Sequence, residues 1–197
     1  MQSGSISRTK RMVGMAIFTA IIVILQIVGS FVKIGPFSVS LVLVPIVVGA
    51  ALYGPSAGAV FGLAFGVVVL ISSITGVDPG AYMLWAANPP LTAALCLLKG
   101  ALAGYAAGLV YSAIAKKHLY VGVVCAAVIC PVVNTGIFMI AMFAFFRGIL
   151  VSWAGGSPIV YYAFVGMVGV NFLFELGANI VLSPAIIRII RAVGKAS

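Results

Sequence analysis

Six apolar runs, separated by short breaks rich in polar residues, glycine and proline, make up most of the sequence. The runs extend from Met12 to Ser30, Val39 to Tyr53, Ser56 to Thr75, Leu91 to Ala115, Leu119 to Phe146 and Ile159 to Ile187. A helix needs about 20 mostly apolar residues to cross a bilayer, with some tolerance for tilt. The second run is short and contains Pro45, which predicts a kinked or tilted helix. We therefore predict an all-α integral membrane protein with six transmembrane helices; five or seven are the alternatives.

Two longer breaks are predicted to be loops on one side of the membrane. They extend from Gly76 to Pro90 and from Arg147 to Pro158, and each contains a tryptophan. Indole rings prefer the membrane interface, which agrees with this placement.

The composition supports a membrane protein and argues against a soluble one. Hydrophobic residues make up 64% of the chain and charged residues only 7%, whereas about a quarter of a soluble domain is charged. We expect residues 1–197 to form a single transmembrane domain. The net charge of +9 does not indicate nucleic-acid binding, because the basic residues lie at the ends of apolar runs and form no basic face.

The distribution of basic residues predicts the orientation in the membrane. With six crossings both termini lie on one side, together with eight basic residues: Arg8, Lys10, Arg11, Lys116, Lys117, Arg188, Arg191 and Lys195. The other side has Lys33 and Arg147, and Lys99 lies within a span. Cytoplasmic loops carry the excess of Lys and Arg, so we expect both termini in the cytoplasm. Five spans would separate the Lys116–Lys117 turn from the N-terminus and remove this asymmetry.

Glycine recurs every fourth residue in the third and fourth runs. The positions are Gly54, Gly58, Gly62 and Gly66 in one, and Gly100, Gly104 and Gly108 in the other. Residues four apart lie on one helical face, and such faces let two backbones approach closely in lipid. The pattern predicts packing within the chain; a docking face for a partner protein is the alternative.

Several polar side chains fall at membrane depth, where charge is expensive and usually functional or paired. Lys99, Asn134, Asn171 and Glu175 reach similar depths in the six-helix arrangement, and Trp85, Asn88 and Arg147 lie nearer the outer side. In one interpretation Lys99 and Glu175 form an ion pair and the asparagines join helices. In the other, these seven residues bind a small molecule in an outward-opening cavity between spans four, five and six. A lysine with amide donors suits a ligand that has a carboxylate.

Motifs for other chemistry are absent. The chain has no G-x-x-x-x-G-K-[ST], H-E-x-x-H or G-x-S-x-G sequence, and two acids with one histidine leave few groups for acid–base catalysis. The three cysteines lack metal-binding spacing. We therefore predict neither an enzyme nor a cofactor. The two halves show no convincing inverted repeat, which disfavours a secondary transporter built from two repeats.

Three segments resemble the substrate-binding S components of energy-coupling factor (ECF) vitamin transporters. Ala16-Ile-Phe-Thr-Ala20 is similar to the A-x-x-x-A pattern of that family's first helix, and the stretch from Ser40 to Gly66 resembles its second and third helices. The segment from Pro131 to Phe138 resembles the fifth helix of one large subgroup. The likeness extends over nearly the whole chain, including six helices with both ends inside.

The resemblance implies a function and a set of partners. Ala16 and Ala20 would face a transmembrane coupling subunit, the T component, and two cytoplasmic ATPases would drive transport. The loop from Phe31 to Val39 would cover the ligand, and the protein would rotate in the membrane of a bacterial cell to deliver its vitamin.

Ligand residues differ between vitamins in this family, so the choice of vitamin depends on the depth argument alone. Lys99 favours an anionic vitamin, with pantothenate as the first candidate and folate or niacin next. Glu175 leaves a cationic ligand such as thiamine open. The competing functions are a stand-alone channel or facilitator for small solutes and a structural membrane protein with glycine docking faces.

Overall fold

The computed structural model describes residues 8–31, 33–34, 37–38, 42–167 and 169–195. In chain order its elements are α1 (Arg8–Gly29), β1 (Lys33–Ile34), β2 (Phe37–Ser38), α2 (Leu43–Tyr53), α3 (Pro55–Thr75), α4 (Pro79–Ala87), α5 (Pro89–Ile114), α6 (Leu119–Ala144), α7 (Arg147–Ala154), α8 (Ile159–Tyr161), a π-helical segment (Tyr162–Met167) and α9 (Gly169–Lys195). β1 and β2 pair antiparallel.

Five helical stretches within the described residues are long and apolar enough to cross a membrane. They are Arg8–Gly29, Pro55–Thr75, Pro89–Ile114, Leu119–Ala144 and Ile159–Ala192. The predicted second span corresponds to α2, an apolar helix of 11 residues, which is about 16 Å long at 1.5 Å per residue. The predicted multi-pass helical fold is confirmed to this extent, and a sixth crossing stays a prediction. Val39, the predicted start of that span, lies outside the described residues.

The loop prediction was wrong for Pro79–Ala87 and Arg147–Ala154, because each of the two predicted loops contains a short helix. Asp78 begins α4: its Oδ1 accepts a hydrogen bond from the backbone N–H of Ala81 at 3.0 Å, and Pro79 occupies the first helical position. Asp as an N-cap followed by Pro is a helix start signal as well as a turn signal. The second helix, α7, ends at Gly155 in the left-handed conformation, a common way for a helix to end.

A glycine seam, formed by Gly58, Gly62 and Gly66 of α3 with Gly100 and Gly104 of α5, joins the two helices antiparallel. A Cβ added at Gly58 would meet the carbonyl oxygen of Gly104, and one added at Gly62 would meet that of Gly100. Gly66 lies in the same way against the carbonyl oxygen of Cys96. The two backbones are thus in direct contact, which confirms the predicted packing within the chain.

The short helix α2 lies inside the bundle and packs against α1, α3, α5, α6 and α9. Its residues from Leu43 to Ala50 are nearly all buried. Near its C-terminal end Tyr53 forms an aromatic cluster with Phe18 and Phe61, with ring centroids 6.0 to 6.4 Å apart. This apolar cluster fills one half of the bundle.

Basic residues gather at that same end of the bundle. The Arg11 guanidinium donates a hydrogen bond to the backbone oxygen of Tyr53 at 3.1 Å, and Pro55 lies against Gly108, near the end of α5. The turn with Lys116 and Lys117 follows directly. The structure therefore brings the N-terminal basic residues and this turn together, as six alternating crossings require. Which side of the membrane this end faces stays a prediction.

A second apolar cluster occupies the opposite half of the bundle. It includes Leu84 of α4, Met142 of α6 and Leu150 of α7, all nearly fully buried. The indole Nε1 of Trp153 donates to the sulfur of Met83 at 3.2 Å, which joins α7 to α4. The two short helices thus pack together over this half, where a polar cavity also lies.

Candidate functional site

A cavity lies between the two apolar clusters and is lined by residues from six of the helices and the turns beside them. Its lining comes from α1 and the turn after it (Gln26, Ser30), α3 and the turn after it (Phe65, Val69, Ser72, Asp78), α4 (Ala81, Leu84), α5 (Thr92, Leu95, Cys96, Lys99), α6 (Asn134, Thr135, Phe138) and α9 (Asn171, Glu175). The space, counted together with its open mouth, is about 840 Å³.

Four of the predicted site residues meet in this cavity. Lys99, Asn134, Asn171 and Glu175, which come from three different helices, all belong to its lining. The similar depths inferred from the sequence therefore correspond to real proximity. More helices line the cavity than the sequence predicts. In addition to the three predicted spans, α1, α3 and α4 contribute to its wall.

The other three predicted residues lie outside the lining. Asn88 is exposed and begins α5, where its Oδ1 accepts a hydrogen bond from the backbone N–H of Leu91 at 3.2 Å. Arg147 is the exposed first residue of α7, and Trp85 is half-buried on α4. Among the described residues the aromatic rings that border the cavity are those of Phe65 and Phe138, and the Trp85 ring is not among them.

Three charged side chains line the cavity. Lys99 is half-buried, and its Nζ lies 5.2 Å from the centroid of the Phe138 ring, a cation–π contact. The Asp78 and Glu175 side chains are 8% and 6% exposed. Among the described residues the lining therefore has one ammonium and two carboxylates, a formal sum of −1. Since a charge in low dielectric acts strongly on its neighbours, these groups would favour some charge patterns in a ligand over others.

Four lining side chains have an oxygen without a hydrogen-bond partner among the described residues. The atoms are Gln26 Oε1, Thr92 Oγ1, Asn134 Oδ1 and Asn171 Oδ1. Gln26, Thr92 and Asn134 are each at least nine-tenths buried. Most buried polar groups in proteins are hydrogen-bonded, so a cluster of exceptions needs an explanation. A molecule in the cavity that donates hydrogen bonds would provide one.

Hydroxyl groups join α1 to α3 beside the cavity. The Ser30 and Ser72 hydroxyls lie 3.4 Å apart, and each also donates to a backbone oxygen of its own helix, that of Gln26 and that of Val68. Next to them, the Ser73 hydroxyl lies 4.0 Å from the Cys96 sulfur of α5. These contacts hold the polar end of α1 against the wall of the cavity.

Sequence reasoning missed several lining residues, although some left a signal. Asp78 is one of only two acids in the chain, and it falls within the Gly76 to Pro90 stretch that the sequence predicts as a loop. Gln26 and Ser30 are four residues apart and share one face of an otherwise apolar helix. That face could have been recognised as polar, although the sequence does not say towards which neighbour it points.

The arrangement is suited to binding a small molecule. No group of three or more His, Cys, Asp and Glu side chains that could hold a metal ion occurs in the described part of the chain. Charged, amide and hydroxyl groups instead converge on one space from several helices. Such convergence is typical of a ligand site.

Comparisons with known proteins agree with a membrane protein that binds a ligand. A family model described as "ECF transporter, substrate-specific component" matches residues 10–187. A search of curated proteins found no match.

Proposed function

The chain belongs to the family of substrate-specific components of ECF transporters, and we propose on this basis that it captures a small anionic vitamin from outside the cell. Members of this family are substrate-binding subunits of transporters and not enzymes. The family implies association with a T component and ATPases. The chain is a multi-pass membrane protein.

The polar cavity is the observation that supports this proposal. Among the described residues of its lining Lys99 is the one that is basic, and an ammonium group binds a carboxylate with a charge-assisted hydrogen bond. Lys99 with Asn134, Asn171 and Glu175 forms the proposed binding set, and Asp78 and Gln26 join it from the structure. In this proposal a ligand passes Trp85, Asn88 and Arg147, which lie nearer the outer side, before it enters the cavity.

Pantothenate is the first candidate ligand, followed by folate and niacin. Each has a carboxylate for Lys99, and pantothenate also has hydroxyl and amide groups. A cationic vitamin such as thiamine is the competing choice, since two carboxylates line the cavity.

The proposed orientation places both termini in the cytoplasm of a bacterial cell, with residues 1–197 as one domain in the plasma membrane. In this orientation the cavity lies in the outer half. The hairpin of β1 and β2 contacts α4, which contributes to the cavity wall. We assign this hairpin the role of a lid; residues 32, 35, 36 and 39 of the same segment lie outside the described residues.

The proposed partner surface is the outer face of α1. Ala16 and Ala20 are both exposed there, and small residues allow a second helix to approach closely in lipid. We propose that the T component docks on this face and that two cytoplasmic ATPases complete the transporter.

Replacing both Ala16 and Ala20 with leucine should abolish assembly with the T component and leave vitamin binding intact. The added side chains would hold the partner helix away, whereas neither alanine lines the cavity. Co-purification with tagged partners and titration of the vitamin measure the two properties separately. Leucine at Ala94 and Ala113, which are exposed on α5, is the matched control. Loss of ligand binding as well would indicate a folding defect, and normal assembly would rule out this docking face.

Flux measurements distinguish the proposal from a channel or facilitator. Proteoliposomes that contain only this chain should take up no vitamin, and adding the T component, the ATPases and ATP should start uptake. Uptake by the chain alone would contradict the proposal.

A further inference from the structure

The geometry points to a particular class of ligand: we propose a singly charged carboxylic acid that also carries several hydroxyl or amide N–H groups. This inference rests on the proposed function and narrows it. It disfavours flat aromatic acids without donors and acids with two carboxylates.

The first argument comes from the unpartnered oxygens of the lining. Gln26, Thr92, Asn134 and Asn171 lie on four different helices, α1, α5, α6 and α9, and each has an oxygen without a partner among the described residues. Leaving a buried acceptor unpaired is costly, so a ligand that donates to it binds more tightly. Because the four oxygens come from helices on different sides of the cavity, a ligand with a single donor group pairs with only some of them.

The second argument comes from the carboxylates. The Asp78 and Glu175 side chains, both at least nine-tenths buried, line the cavity. An ionised carboxylate only accepts hydrogen bonds, so it attracts O–H and N–H groups and repels a second anionic group. One ligand carboxylate can bind at Lys99, but a second one would be repelled by the Asp78 and Glu175 carboxylates.

The third argument concerns discrimination. A site whose polar groups pair with a ligand's O–H or N–H groups strongly rejects an analogue that lacks them, because its own buried groups are then left unpaired. The apolar part of the lining, with Phe65, Val69, Leu84 and Leu95, accepts aliphatic carbon without selecting strongly among shapes. Hydrogen-bond donors should therefore determine specificity.

Calorimetric titration of the purified chain in detergent with matched probes tests the inference. The probes are pantothenate, its dideoxy analogue with both hydroxyls replaced by hydrogen, nicotinate and folate, with thiamine as a cationic comparison. We expect pantothenate to bind at least tenfold more tightly than the dideoxy analogue, nicotinate and folate.

A variant then connects the ligand hydroxyls to the lining. Asn134→Ala should weaken pantothenate binding at least tenfold and change binding of the dideoxy analogue much less. Asn179→Ala is the matched control, since Asn179 is also buried with an unpartnered oxygen but does not belong to the lining. Because the readout is the ratio of two affinities, a general loss of stability does not imitate the effect.

The outcomes separate this inference from the proposed function. Equal affinity for pantothenate and its dideoxy analogue, or tightest binding of nicotinate, folate or thiamine, would overturn the inference while ligand capture stood. Equal weakening of both probes by Asn134→Ala would overturn it too. Binding of none of the probes would overturn both the proposed choice of vitamin and the inference.

Discussion

Replacing Lys99 with alanine should reduce affinity for an acidic vitamin by roughly 30-fold or more. Removing one partner of a buried, hydrogen-bonded charge pair costs about 2–5 kcal/mol, and each 1.4 kcal/mol is about tenfold in Kd. In this variant the cavity would keep the Asp78 and Glu175 carboxylates without the ammonium, so its remaining charges would only repel an anionic ligand. Titration of the purified variant in detergent measures the change.

A control for this variant is Lys117→Ala. Lys117 is exposed in the turn after α5, at the end of the bundle away from the cavity, so its replacement should leave affinity unchanged. Affinity for a cationic vitamin should not fall in Lys99→Ala. Unchanged affinity for the acidic vitamin in Lys99→Ala would remove Lys99 from the binding site.

Replacing Gly62 with alanine should destabilise the protein severely. The new Cβ would meet the carbonyl oxygen of Gly100, and because the obstacle is backbone, α3 and α5 must separate along the glycine seam. Overpacking a well-packed site costs about 1–3 kcal/mol or more, and 3 kcal/mol corresponds to a fall in Tm of roughly 6–12 °C for a chain of this size. Thermal unfolding followed by size-exclusion chromatography measures it.

The control for the seam is Gly136→Ala. Gly136 lies within α6, and a Cβ added there would meet nothing within 4 Å. Alanine also favours a helix more than glycine does, so this variant should be as stable as the original or slightly more stable. Equal stability of Gly62→Ala and Gly136→Ala would show that α3 and α5 do not touch as described.

The helices and the glycine seam could be predicted because both follow from short-range periodicity. A run of about 20 apolar residues has one stable arrangement in lipid, and glycine at every fourth position marks one helical face. The spacing alone therefore predicts Gly62 and Gly100 as contact residues. The helices α4 and α7 were missed because Asp-Pro-Gly and Gly-Gly are found both in loops and at helix ends.

The candidate site could be predicted only in part. The sequence gives the depth of each residue in the membrane, but not the direction in which its side chain points. Counting residues along a helix places Lys99 and Glu175 at one level, and both do line the cavity. Counting does not tell which way a helix faces, so Gln26 was missed, whereas Asn88 and Arg147 were included although they lie outside the lining. The rotation of each helix depends on packing against all its neighbours.

Two interpretations of Lys99 and Glu175 were open from the sequence, an ion pair or a ligand site. Both residues border the same cavity, together with Asp78. Because one lining holds the ammonium and both carboxylates, neither role needs a second site. The two roles are therefore compatible in one site.

Equilibrium binding of a panel of vitamins to the purified chain, without its partners, tests the central claim most directly. The account predicts saturable binding of one small acid, with one molecule per chain, and competition by close analogues. If every vitamin in the panel, anionic or cationic, failed to bind to folded protein, ligand capture by this cavity would be contradicted.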